Sequence, residues 1–305
     1  MFVGFDTSNY TTSVATYNNG DIVQQKQVLK VKSGERGLRQ SDAVFQHIVN
    51  LPELVKKIDF DKIDAIGVST RPRNVDGSYM PCFLVGKTVA NTISEMNNIP
   101  IFETSHQVGH ILAALYSCNK LDLIREKFIA FHLSGGTTEA LMVSPDKEQL
   151  IKAEIIAQSS DLKAGQAVDR TGVLLGLDFP CGAELDRLSE KSNKEFRMKP
   201  TMLGMNCSLS GVENKVKKMI ENGELKEDIA YFVLRYISCT ILAMLDAITE
   251  KYGDLPVVFS GGVSSNRLLR RVILNKYNAF FAEPAFSLDN AAGTAIYAYL
   301  KSREL

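Results

Sequence analysis

Short apolar runs broken by polar turns open the chain. Met1-Phe-Val-Gly-Phe5 reads as a strand, Asp6 to Thr12 as a polar turn, and Ser13-Val-Ala-Thr-Tyr17 as the return strand. Asp21 to Leu29 predicts a third strand, and Lys32 to Arg39 is a polar loop containing glycine. Asp42 is placed to cap a helix running to about Ile58. Ala43, Phe45, Ile48, Val49 and Leu54 would form its apolar face. Ile63 to Thr70 reads as a buried strand and Arg71 to Met80 as loop. Pro81 suits the first residue of a helix reaching about Met96. Ile99 to Glu103 is a further strand, and Ser105 caps a helix that carries His106 and His110.

The second half repeats this grammar. Strands are predicted over 128–134, 138–144 and 150–157, and helices over 164–175 and 183–191. Phe179-Pro-Cys-Gly182 is a turn, and Lys194 to Met205 reads as an irregular surface loop. Helices follow over 210–221 and 225–252, the second long and strongly apolar. A strand over 256–259, a helix from Ser265 to Lys276, a short strand at Ala279-Phe-Phe281 and a helix from Asp289 complete the chain. Hairpin sets of strands alternating with helices argue for an α/β protein with mixed sheets.

Composition narrows the picture. With 305 residues, 45% of them hydrophobic, the chain can bury one large or two medium cores. Lysine and arginine balance aspartate and glutamate at 35 each, so any nucleic-acid contact must rest on a local patch. Cys82, Cys118, Cys181, Cys207 and Cys239 are scattered and odd in number, as expected of reduced thiols in a cytoplasmic protein. Met1 leads straight into a strand, so no signal peptide is read. No apolar run approaches membrane-spanning length, and no membrane association is expected.

Candidate chemistry sits in the turns. Ser134-Gly-Gly-Thr-Thr138 joins two apolar strands. Adjacent glycines permit positive φ and leave the backbone amides bare, so the tip can wrap a phosphate; alone it reads more readily as an ordinary hairpin. Asp6-Thr7-Ser8 follows the first strand in a similar way. Ser260-Gly-Gly262 opens a helix, whose dipole favours an anion. His106 and His110 stand at i and i+4 on one helix face, a spacing that suits a divalent metal, with Asp289 the best third ligand. The bland alternatives are surface or core histidines and, for Asp289, a helix N-cap. Asp169 and Asp186 could accept from ribose hydroxyls or merely decorate helix faces. Asn266 could meet a nucleoside edge or cap its helix. His132 and His47 are given no role.

Together and in order, these motifs resemble the TsaD (Gcp, YgjD-like) family over nearly the whole chain. The resemblance rests on Gly4-Phe-Asp-Thr-Ser8, His106-Gln-Val-Gly-His110, Leu133-Ser-Gly-Gly-Thr-Thr-Glu139, Asp169 to Gly182, Asp186, Gly261-Gly-Val-Ser-Ser-Asn-Arg267 and Asp289-Asn-Ala-Ala292. It implies two lobes of the actin, sugar-kinase and Hsp70 ATPase type with a nucleotide cleft between them. The first would span 1–105 and be completed by helix 289–305; the second would span 106–288. It implies one divalent transition metal, iron or zinc, on His106, His110 and Asp289. An adenine nucleotide (ATP, AMP or an acyl-adenylate) is expected on Ser134, Gly135, Gly136, Thr137, Thr138, Asp169, Gly182, Asp186, Gly261, Gly262 and Asn266. Asp6, Thr7 and Ser8 are expected as first-lobe contacts. The implied activity is transfer of threonylcarbamoyl from its adenylate to an adenosine of tRNA.

Departures from the family pattern spare the metal positions and fall mainly on the first-lobe face and the substrate-handling loops. Asn9-Tyr-Thr-Thr12 replaces an acidic turn, and Arg39-Gln-Ser-Asp-Ala-Val44 replaces a Pro-Glu-Leu-Ala-Ser-Arg segment. Thr137 stands where a histidine is usual, and Ser210-Gly-Val-Glu213 reverses the charge of a Ser-Gly-Leu-Lys motif. They suggest a divergent paralogue. The alternative function is a non-catalytic nucleotide-binding scaffold for a transferase partner. The family's older glycoprotease (peptidase M22-like) label finds no nucleophile–base pair and no His-Glu-x-x-His. Homo- or hetero-oligomers with a related subunit are expected, with tRNA engaged through partner proteins.

Overall fold

The computed structural model describes residues 1–8, 10–31, 38–58, 62–75 and 77–304. Asn9 of the first turn and most of the polar loop read over Lys32 to Arg39 therefore lie outside the described residues. The chain divides into two compact units. The first comprises Met1–Arg125, Ser144–Ala153 and Ala285–Leu305, the second Glu126–Val143 and Glu154–Pro284. The boundary expected at residue 105 thus moves, and the histidine helix groups with the first unit. Its reason is packing, since that helix lies against the C-terminal helix of the same unit.

The first unit begins with β1 (Phe2–Asp6), β2 (Thr11–Asn18) and β3 (Asp21–Val28), then α1 (Gln40–Val55), β4 (Ala65–Arg71), α2 (Phe83–Asn97), β5 (Ile101–Ser105) and α3 (His106–Ser117). Its sheet runs β3-β2-β1-β4-β5, antiparallel through the first three strands and parallel from β1 to β5. Val3, Phe5, Val14, Ile66 and Val68 meet Leu51, Leu54, Val85 and Ala90 of the two helices in its core.

In the second unit come β6 (Phe128–Leu133), β7 (Thr138–Asp146) and β8 (Leu150–Gln158), the adjoining ends of β7 and β8 from Ser144 to Ala153 grouping with the first unit, then α4 (Ala164–Leu174), α5 (Gly182–Ser189), β9 (Thr201–Leu203), β10 (Asn206–Ser208), α6 (Gly211–Glu221), α7 (Lys226–Tyr252), β11 (Val257–Ser260), α8 (Arg267–Leu274) and β12 (Ala279–Phe281). The sheet order is β12-β11-β6-β7-β8. Phe131, Phe259 and Phe281 stack ring on ring across three parallel strands at 4.7 Å, each pair worth about 0.5–1.5 kcal/mol beyond area burial. The helices α9 (Pro284–Ser287) and α10 (Ala292–Ser302) follow.

Several expectations change. The stretch read as irregular over 194–205 ends in the β9–β10 hairpin. By length and composition α7 could cross a membrane, contrary to the sequence reading; here it is the core helix of the second unit, buried along much of its length. The face of α1 is inverted as well. Arg39, not Asp42, is its N-cap residue, and Asp42 sits in the first turn, where the dipole favours an acid. Ala43 and Leu54 are buried as expected, but Phe45, Ile48 and Val49 are 67%, 55% and 54% exposed, and His47 and Asn50 point inward instead. Leu51 joins Ala43 and Leu54 on the buried face, and Thr12 of β2 satisfies the polar residues there: its hydroxyl lies 2.8 Å from His47 Nδ1 and accepts from Asn50 Nδ2 at 3.3 Å. Ile48 also lines an apolar groove of about 460 Å³ between α1 and α2.

Burial pushes the His47 pKa down to about 4, with the Asp6 charge opposing only in part. The unfolded imidazole titrates near 6.5. Above that pH His47 is neutral in both states, and the contribution is intact. As pH falls from 6.5 to 4 the unfolded chain takes up a proton that the folded chain refuses, costing about 3 kcal/mol. Denaturant titrations at pH 7 and pH 4 should therefore show a larger loss for the parent than for His47→Asn, by about that amount. Equal losses would contradict the assignment.

Candidate metal centre and nucleotide-facing turns

The candidate metal ligands all belong to the first unit. Ser105 caps α3 by accepting from the Val108 amide, which starts the helix at His106 and puts both imidazoles on one face. α10 crosses α3 closely. A side chain at Gly293 would overlap the Gly109 carbonyl, so glycine is required there. That approach delivers Asp289, in the turn before α10. The helix reading for Asp289 is corrected: α10 starts at Ala292, its N-cap residue is Ala291, and the Asp289 carboxylate faces the histidines.

His106 Nε2 lies 2.9 Å from His110 Nε2 and 3.6 Å from Asp289 Oδ1, and His110 Nε2 lies 3.2 Å from the same oxygen. Ligands about 2.1 Å from a tetrahedral zinc-like ion stand about 3.4 Å apart. The observed triangle brackets that edge, and two imidazoles with one carboxylate suit zinc or iron. These three residues could hold one metal ion. The surrounding charge favours a cation. Burial would lower the His106 pKa, but the Asp6 and Asp289 carboxylates raise it to about 10, so an ion would take the place of the Nε2 proton. Burial would raise Asp289, yet His106 and His110 hold it well below the usual carboxylate range.

The expected first-lobe contacts divide. Asp6 binds His106 Nδ1 through Oδ2 at 2.9 Å. Thr7 is structural: its hydroxyl donates to the Cys82 carbonyl and accepts from the Gly86 amide, pinning the start of α2. Ser8 Oγ lies 3.5 Å from His106 Nε2.

A different set gathers in the second unit. The Ser134 amide donates to the Thr137 carbonyl at 2.8 Å, and the Thr137 amide to Ser134 Oγ at 3.1 Å, which closes the hairpin. Neither Gly135 nor Gly136 takes a left-handed backbone, contrary to expectation. Both are exposed, and a Cβ on either would meet open space. α4 seats on this tip, with Ala164 N donating to Thr138 Oγ1 and Gly165 N to the Ser134 carbonyl. Gly261, at φ 90°, packs against the Leu133 backbone, so this turn abuts the start of the Ser134 hairpin. Gly262 starts a short 3-10 turn, and Asn266 then caps α8 through the Leu269 amide.

The carboxylates here are engaged. Asp169 accepts from the Cys181 amide at 3.0 Å, holding the turn that leads to Gly182. Asp186 accepts from Asn266 Nδ2 at 2.6 Å and Arg267 Nε at 2.9 Å, on the wall of a cavity of about 620 Å³ that also includes Lys194, Tyr231 and Arg271. Sequence reasoning missed Asp161. It accepts from Ser208 Oγ and from the Leu162 and Leu209 amides, and ties the β9–β10 hairpin to the approach to α4. Burial would raise its pKa, but these hydrogen bonds hold it well below the usual range. It also missed a serine–histidine contact, Ser260 Oγ to His132 Nδ1 at 3.2 Å; that hydroxyl donates to the Phe131 carbonyl and is buried.

Residues 25–296 match the model of the TsaD family, described as tRNA N6-adenosine threonylcarbamoyltransferase. The chain belongs to this family. It is 29% identical over 320 residues to the tRNA N6-adenosine threonylcarbamoyltransferase of Thermosipho africanus (strain TCF52B), covering 98% of this chain and 93% of that one. Among solved structures it is similar to component A of the (R)-2-hydroxyglutaryl-CoA dehydratase of Acidaminococcus fermentans (TM-score 0.59, 16% identity, 99% of this chain and 98% of that one). It is also similar to the activator of the 2-hydroxyisocaproyl-CoA dehydratase of Clostridium difficile with bound ADPNP (TM-score 0.56, 16% identity, 100% and 96%). The fold is that of actin-like ATPases, α/β with two mixed sheets.

Within the TsaD pattern, the reversed charge at Glu213 is neutralised locally by Arg170 and Lys217, each at 2.8 Å. The purified protein should carry about one zinc or iron per chain by elemental analysis, and His106→Ala should remove it while the circular dichroism spectrum is kept. Full occupancy in a His106→Ala, His110→Ala double variant would contradict the assignment.

Proposed function

We propose that this TsaD-family chain transfers threonylcarbamoyl from threonylcarbamoyl-AMP to the N6 amine of an adenosine in tRNA. The observation that carries the reading is the triangle of His106, His110 and Asp289, spaced as metal ligands in a chain of this family. A bound divalent ion would supply Lewis acidity toward the carbamoyl carbonyl. The chain's own task is positioning. Backbone amides of the exposed residues Gly135, Gly136 and Gly262 would take phosphate, and Asp169, Gly182, Asp186 and Asn266 would frame the nucleoside. A ribose hydroxyl reaching Asp186 would share a carboxylate already held by Arg267 and Asn266. The ADPNP-bound relative supports an adenine nucleotide. Among the described residues the five cysteines form no disulfide with one another.

A second reading, a nucleotide-binding scaffold for a transferase partner, is favoured by the first turn. Tyr10 and Thr11 stand where the family pattern has acids, and Thr11 is buried in the β2–β3 ladder opposite Val28. Complementation of a strain lacking its own transferase separates the two. The intact chain should restore growth, and the His106→Ala, His110→Ala variant should not. No rescue by the intact chain, with AMP still raising its melting temperature, would favour the scaffold.

Phosphate neutralisation dominates non-specific nucleic-acid affinity, and the basic groupings of this chain are largely committed internally. Arg267 pairs with Asp186 and Glu190, Lys217 with Glu213, and Arg270 donates to the Ser264 and Ala282 carbonyls. Arg36 lies outside the described residues. The isolated chain should therefore bind tRNA weakly, and transfer should need partner proteins to supply the acceptor surface. Filter binding of tRNA at low and near-physiological salt should show affinity collapsing as salt rises; tight binding at the higher salt would point to a self-sufficient enzyme.

A further inference from the structure

Asp6 is 1% exposed at the C-terminal end of β1, and a buried carboxylate persists only where both oxygens find partners. One oxygen, Oδ2, lies 2.9 Å from His106 Nδ1. The other, Oδ1, accepts from the Ser8 amide at 2.8 Å. A metal-binding histidine that donates Nδ1–H to a carboxylate is fixed in the tautomer whose Nε2 lone pair is free for the ion, and its ring is fixed in orientation. Here that Nε2 is the atom turned toward His110 and Asp289.

The same carboxylate sets the position of Ser8. Ser8 is 1% exposed, and its Oγ stands 3.5 Å from His106 Nε2, on the ligand side of the ring. The distances from that Nε2 to His110 Nε2, Ser8 Oγ and Asp289 Oδ1 are thus 2.9, 3.5 and 3.6 Å. Donors around a four-coordinate ion with bonds of about 2.1 Å are about 3.4 Å apart.

We propose that Asp6 is the positioning residue of the metal centre. One oxygen locks His106 toward the ion, and the other holds the Ser8 turn so that the Ser8 hydroxyl faces the fourth coordination position, as a ligand or as hydrogen-bond partner to what binds there. This deepens the metal reading of the triangle and rests on it. It gives the first turn a duty in this chain distinct from nucleotide contact, while Thr7 between the two residues anchors α2.

The test uses the full chain with zinc and cobalt(II) as probes. Zinc affinity is measured by chelator competition, and the coordination sphere by the visible absorption of the cobalt(II) form. Asp6→Asn should weaken zinc by roughly tenfold and Asp6→Ala by up to about a hundredfold, the range typical of lost outer-shell carboxylates. Ser8→Ala should alter the cobalt(II) bands. Both shifts should appear without loss of the apo protein's cooperative unfolding transition, and if Asp6→Ala fails to fold, Asp6→Asn carries the comparison. Parent-like zinc affinity in Asp6→Asn, or parent-like cobalt(II) bands in Ser8→Ala, would overturn the corresponding half of the proposal while leaving the triangle standing. A parent chain that binds neither ion would overturn the triangle and the proposal together.

Discussion

The close crossing of α3 and α10 is the constraint on which the first unit's chemistry depends. Gly293 lets its helix approach until the backbone of one meets the Gly109 carbonyl of the other. Only then does Asp289, 179 residues from His110 along the chain, come within 3.2 Å of its Nε2. α10 also packs on β1, β2 and β4, so the helix that brings the carboxylate is itself set by the sheet that ends in Asp6. The geometry of this candidate metal site thus follows from backbone packing rather than from any one loop.

Charge completes what packing begins. Two buried or half-buried carboxylates, Asp6 and Asp289, flank the imidazoles and supply the negative charge that a bound cation would answer. In the second unit the logic is different. There the carboxylates Asp161, Asp169 and Asp186 are spent on holding turns, and the hairpin tip exposes the two glycines Gly135 and Gly136.

Much of this was legible in the sequence because it is local. The i, i+4 histidines, the Ser105 cap and the glycine turns are short-range patterns with short-range causes, and their elements lie within a few residues of where periodicity puts them. What failed was non-local. α1 turns Phe45, Ile48 and Val49 outward and His47 inward, where Thr12, on a strand 35 residues from His47, offers a hydrogen bond that apolar periodicity cannot register. Asp289 reads locally as a helix cap and becomes a candidate ligand only through a partner helix far away in sequence. The domain boundary moved for the same reason, since α3 belongs to whichever unit holds α10. Asp161 carried no motif at all, because its three partners come from two separate segments.

Anomalous diffraction from crystals grown with zinc tests the central claim most directly. The account predicts one dominant peak about 2.0–2.2 Å from His106 Nε2, His110 Nε2 and Asp289 Oδ1 together. A zinc peak bound elsewhere, with these three side chains left in direct contact with one another, would contradict it.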